Sequence, residues 1–197
     1  MKKLTKSQLA TISRRLDNIF DLATEEEVKA GLCWYETANE FCVKTAAKYG
    51  TTPEIVAGVV SALSPRNNWR QNLKDAETVL AAVYCGVSAQ DVKVCTFNTN
   101  KFKAFAIANG KQTITAESPK TFSFVGNVGH LDAARVTVDV WHLRACFGKT
   151  IRSSVGLLAY AQLERMTIRK ATKMGITGYQ LQAIIWLVTQ RTFVGEK

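Results

Sequence analysis

The residues best suited to chemistry in this sequence are one lysine and one aspartate. Lys120 stands in Ser118-Pro119-Lys120-Thr121, and Asp139 stands in Val138-Asp139-Val140-Trp141-His142. Ser118 suits an N-cap and Pro119 the first helical position, so Lys120 falls in the first turn of a helix expected to run to about Gly129. The helix dipole disfavours a cation there and raises the share of neutral amine, the form a nucleophilic lysine needs. Thr137 is the expected cap of the next helix, which would place Asp139 in a first turn where a carboxylate is favoured and stays ionised. Each also has a plainer explanation, Lys120 as an exposed first-turn lysine and Asp139 as a favourable dipole charge.

Other chemistries lack their supports. No Gly-x-x-x-x-Gly-Lys-Ser/Thr, Gly-x-Gly-x-x-Gly or His-Glu-x-x-His occurs, which removes the usual bases for a nucleotide kinase, a dinucleotide oxidoreductase or a zinc hydrolase. His130 and His142 are the only histidines, too few for a multi-histidine metal site, and a triad is improbable. The cysteines, Cys33, Cys42, Cys85, Cys95 and Cys146, form an odd set with no Cys-x-x-Cys pair, and are read as buried thiols of a reducing cytoplasm. No metal and no cofactor is expected. Twenty-six Lys and Arg against sixteen Asp and Glu give a net charge of +10, which suits a polyanion, nucleic acid above all. The alternative is a solvated basic surface.

The elements that must hold these groups read as helices. Leu9, Ile12, Leu16, Ile19 and Phe20 give an amphipathic helix over Lys6 to Leu22, and a second opens at Glu25 to Glu27 and runs to Gly50. Thr52-Pro53 starts a third, apolar nearly all round to Leu63, which should cross the core. Ser64-Pro65-Arg66-Asn67-Asn68-Trp69 breaks the pattern, and a fourth helix follows from Trp69 to Gly86. Asn98 or Thr99 can cap a fifth. Between Lys93 and Lys111 there is no acid, only Lys93, Lys101, Lys103 and Lys111, so this stretch is either a phosphate-facing surface or an unliganded lysine face. The helices of Lys120 and Asp139 come next, then a basic segment from Ser153 to Lys173 and a last helix ending near Arg191. Thr113-Ile114-Thr115 is the best strand signal. The expected fold is all-α, eight to ten helices in one domain over residues 1–197 or in two small lobes with a cleft between them. No run reaches the length of a membrane span and the start is no signal peptide, so a cytoplasmic protein is expected.

Lys120-Thr121 followed by Val136-Thr137-Val138-Asp139-Val140-Trp141-His142-Leu143-Arg144 resembles the helix-hairpin-helix DNA glycosylase superfamily, which includes endonuclease III and 8-oxoguanine glycosylase. There a catalytic lysine precedes an essential aspartate by a similar interval, here 139 − 120 = 19 positions. The wording around Asp139 is especially similar to that of 8-oxoguanine glycosylase, where a Val-Asp-Val is also followed shortly by Trp-His. Val60-Ser61-Ala62-Leu63-Ser64-Pro65-Arg66-Asn67-Asn68 is similar to the helix-to-loop stretch whose side chains fill the gap left by a flipped base. The resemblance covers about residues 52–148. Two departures stand out: the hairpin's Leu-Pro-Gly-Val-Gly turn is replaced by Ile114-Thr115-Ala116-Glu117-Ser118-Pro119, and iron–sulfur cysteines are absent. In this the chain looks like the compact relatives of bacteriophage genomes, some proposed to be putrescinyl- or glutamyl-thymine pyrophosphorylases.

The resemblance implies a DNA base-processing enzyme, a glycosylase or lyase, with Lys120 and Asp139 catalytic. It implies that Arg66, Asn67 and Asn68 contact nucleic acid, with Lys101 and Lys103 added by the lysine stretch, and that Ser64, Trp69, Trp141 and His142 line a pocket. A contact from His142 to Asp139 is expected at their spacing. Asn67 and Asn68 could equally be turn formers, and the tryptophans core or pocket wall. Two alternatives remain open: amine or amino acid transfer to an activated pyrimidine in DNA, and a non-catalytic DNA-binding or inhibitory protein.

Overall fold

The computed structural model describes residues 3–148 and 154–194. These form nine α-helices: α1 Lys6–Phe20, α2 Glu25–Tyr49, α3 Pro53–Leu63, α4 Trp69–Tyr84, α5 Asn98–Ala108, α6 Pro119–His130, α7 Val140–Phe147, α8 Leu157–Lys173 and α9 Gly178–Val194. A single 3-10 turn lies at Ala89–Asp91. The fold is all-α, with no strand among the described residues. Thr113-Ile114-Thr115, the expected strand, is irregular chain, since a short β-branched run gains nothing from extension without a second strand to pair with. Ser153, where the basic segment was expected to begin, lies outside the described residues. No described helix is long and apolar enough to cross a membrane.

The chain divides into two compact units, the first made of Met1–Glu36 with Asp132–Lys197 and the second of Thr37–Leu131. The boundary falls inside α2.

In the second unit α3 is the central rod. Val56, Ala57, Val59, Val60, Ala62 and Leu63 are all buried, as a helix apolar on every side requires. Small residues set how near its neighbours come. A Cβ added at Gly58 would lie 2.9 Å from the Ile107 methyl of α5, and one at Gly129 of α6 would lie 3.1 Å from Ala57. Asn39 donates to the carbonyls of Val128 and Gly129, both at 2.9 Å, and so satisfies the end of α6.

In the first unit α1, α7, α8 and α9 share a core that includes Leu16, Leu163, Leu181 and Ile185, each fully buried. Every such side chain contributes about 2 kcal/mol by leaving water. α9 meets α2 at Gly31, where an added Cβ would sit 2.4 Å from the Ile184 side chain and 2.8 Å from its backbone, so only glycine fits.

Local capping differs from expectation at three helix starts. Asp139, not Thr137, is the N-cap of α7. Phe97 holds that position on α5 without a side-chain bond, and Ser118 holds it on α6, also without one. The cysteines are thiols, but only Cys42 and Cys146 are buried, while Cys33, Cys85 and Cys95 are exposed.

Candidate functional site

Lys120 belongs to the second unit, in the first turn of α6 behind Pro119, and is half-buried. Its Nζ donates to Ser64 Oγ at 3.3 Å. Ser64 Oγ donates in turn to the Ser61 carbonyl at 2.9 Å, at the C-terminal end of α3. Because the one hydroxyl proton of Ser64 is directed at Ser61, Ser64 meets the lysine as an acceptor. Ser61 Oγ donates to the Thr121 carbonyl at 3.1 Å, so two serines three residues apart tie the end of α3 to the start of α6. Trp69 is half-buried and meets Phe124 of α6 nearly edge-on, with ring centroids 6.3 Å apart.

The loop between α3 and α4 is held by a residue that sequence reasoning missed. Asp75, 3% exposed, accepts from Asn67 Nδ2 at 2.8 Å, from Gln71 Nε2 at 2.8 Å and from the Cys95 amide at 2.9 Å. Its signal was an acid next to Ala76 on the inward face of α4, where an unsupported carboxylate would be costly. Asn67 is thereby engaged within the fold, and Asn68 caps α4 by accepting the Gln71 amide at 2.9 Å. Both asparagines build the loop, the turn-forming role that composition alone allowed. Arg66 is exposed at the tip with φ +57, and its guanidinium carbon lies 5.5 Å from the centre of the Phe97 ring.

Lys101 requires a correction. It is 6% exposed and donates to the Val92 carbonyl at 2.8 Å, so it faces inward and anchors the chain leading to α5 rather than meeting solvent. Helical phase decides this: Lys101 shares its face with the buried Ala104 and Phe105. Lys103 is half-buried, while Lys93 and Lys111 are exposed.

In the first unit Asp139 is half-buried and accepts the His142 amide at 2.8 Å. The extended residues before it are clamped by α8. Glu164 accepts the Val136 amide at 3.0 Å, and the Tyr160 hydroxyl donates to the Val136 carbonyl at 2.9 Å while accepting the Val138 amide at 3.1 Å. Tyr160 thus serves this irregular segment as a neighbouring strand would. Tyr35, fully buried, donates to Gln182 at 2.8 Å. Burial raises its phenol pKa well above the usual range, a hydrogen bond with Thr137 opposes the shift, and the Asp139 charge adds to it.

His142 also departs from expectation. It touches Asp139 only through its backbone amide, and its ring is buried rather than set in a pocket wall. Nε2 lies 3.1 Å from Thr167 Oγ1, which donates to the Leu163 carbonyl at 3.0 Å, so Nε2 carries the proton. Nδ1 has no hydrogen-bond partner, and burial pushes the imidazole down to about 4. Trp141 is half-buried under the Arg144 guanidinium, 4.4 Å from its ring centre.

The structure therefore brings Lys120 together with Ser64 in one unit, and places Asp139, Trp141 and His142 on α7 and its cap in the other. A cavity of about 720 Å³ in the first unit, lined from α1 and α8, contains none of the residues singled out from the sequence.

No curated protein and no solved structure matches the chain. A family model does match, over residues 1–193, and by that match the chain belongs to a family of unknown function, DUF7178.

Proposed function

We propose that the chain is a DNA base-processing enzyme of the glycosylase type, with Lys120 as its nucleophile. The observation that carries the reading is the placement of the half-buried Lys120 amine in a first helical turn, beside the Ser64 hydroxyl at the end of α3. The target nucleotide must leave the stack, because C1′ cannot be approached in line inside a duplex. The amine attacks C1′ as the bond to the base breaks, and the base departs with its electron pair and takes up a proton. The sugar then opens to an imine on Lys120, from which loss of a C2′ proton expels the 3′ phosphate.

Borohydride trapping tests this directly on oligonucleotides bearing modified bases or abasic sites. A covalent adduct with the wild type that Lys120→Ala abolishes supports the reading. Unchanged trapping in Lys120→Ala refutes it. DNA binding that survives Lys120→Ala, with no product from any substrate with either protein, points to a binding protein. Formation of an amine-substituted pyrimidine from an activated one points to hypermodification.

A further inference from the structure

The loops 64–68 and 93–97 are two irregular segments held as one body. Asp75 accepts from Asn67 on the first and from the Cys95 amide on the second, and Thr96 Oγ1 donates to the Pro65 carbonyl at 3.2 Å. Asn100 supports Thr96 by donating to the same oxygen at 2.9 Å. This scaffold presents outward an aromatic ring with a cation against it. Phe97 is 55% exposed, and the exposed Arg66 lies against it.

The backbone at Arg66 makes the arrangement more informative. The Asn67 amide bonds to the Ser64 carbonyl at 3.2 Å, closing a turn with Pro65 at its second position and Arg66, at φ +57, at its third. Positive φ at the third position after proline is where a type II turn takes glycine or asparagine. An arginine there is strained. Strain held by an over-determined loop, beside an exposed large apolar ring, marks a surface kept for contact.

We propose that Phe97 and Arg66 form a stacking platform for an unpaired nucleobase of a DNA strand, the ring taking the face of the base and the guanidinium the adjoining phosphate. Every base offers a π face to an aromatic ring, and a guanidinium binds phosphate oxygens through paired donors. Lys93 is exposed on the same loop, and no acid occurs from residue 92 to residue 116, so the strand meets no like charge from this stretch. This rests on the nucleic-acid partner proposed above but not on the lysine chemistry. It assigns contact to Phe97, and it leaves Asn67 to hold the loop.

The test is fluorescence anisotropy with a labelled single-stranded (dT)12 and with a (dA)12·(dT)12 duplex, at low salt. Phe97→Ala is expected to weaken single-strand binding about tenfold, the worth of roughly one stacked base, and Phe97→Trp to restore it. Arg66→Gly should weaken binding while leaving the urea midpoint equal to or above that of the wild type, because glycine relieves the turn. A merely structural role for Arg66 would move both together. Cross-linking from 5-bromouracil in the strand should map to the peptide carrying Phe97. Single-strand binding by Phe97→Ala as tight as by the wild type, or cross-links mapping only elsewhere, overturns the platform. A wild type that binds neither probe overturns both the platform and the nucleic-acid reading. Binding without borohydride trapping leaves the platform standing and removes only the glycosylase chemistry.

Discussion

Acid should weaken the first unit through a single side chain. His142 is fully buried, its Nδ1 has no partner, and its folded pKa lies at about 4 against an ordinary value of 6.5. In the unfolded chain the ring takes up a proton as pH falls through 6.5, while the folded ring refuses one until about 4. The unfolded state therefore binds more protons across that window, so stability is lost as pH falls through it and is unaffected above it. At 1.36 kcal/mol per pH unit the loss is about 3 kcal/mol, a large share of the roughly 5–15 kcal/mol that holds a domain together. His142→Leu removes the titration, and Thr167 keeps its own bond to Leu163. Urea unfolding of both proteins at intervals from pH 7.5 to 4 isolates the effect, because the two differ only at this side chain. The stability of the wild type relative to the variant should fall by about 3 kcal/mol as pH drops from 6.5 to 4. A relative stability that stays flat with pH would show that the ring is not held neutral by burial, and the reasoning would fail.

Two further substitutions test the clamps on the irregular segments. Tyr160→Phe removes the oxygen that serves both the Val138 amide and the Val136 carbonyl, leaving two buried backbone groups without it, at a cost of about 3 kcal/mol in urea or thermal unfolding. Unchanged stability would show that water or a rearranged chain replaces the hydroxyl. Asp75→Asn turns an acceptor of three donors into a group that brings two donors of its own, so it should cost about 2 kcal/mol and also weaken binding of (dT)12, although Asp75 is buried beneath the platform. Full binding by this variant would separate the two loops from their supposed staple.

What could be read from the sequence and what could not divides along a physical line. Helix extents were legible because burial in a helix recurs every three or four residues, and α3 declared itself by being apolar on all sides. Lys101 was misread because charge was weighed before phase: its position on α5 matches Ala104 and Phe105, and a lysine there has to find an internal acceptor. Thr137 was misread as a cap because it and Asp139 both suit the position, and the choice was made from α8. Tyr160 and Glu164 hold Val136 to Val138 extended, which leaves Asp139 as the first residue free to turn into a helix. The same holds for Asp75, whose partners lie 8 residues before it, 4 residues before it and 20 residues after it. Bonds of this kind run from one side chain to the backbone or amides of aperiodic chain, so they leave no period to detect. In this protein both candidate sites, the loop at Arg66 and the segment before Asp139, are shaped by such bonds. The residues that could act were therefore visible as types, while the geometry that would let them act depends on buried polar side chains that local patterns assign to neither core nor surface.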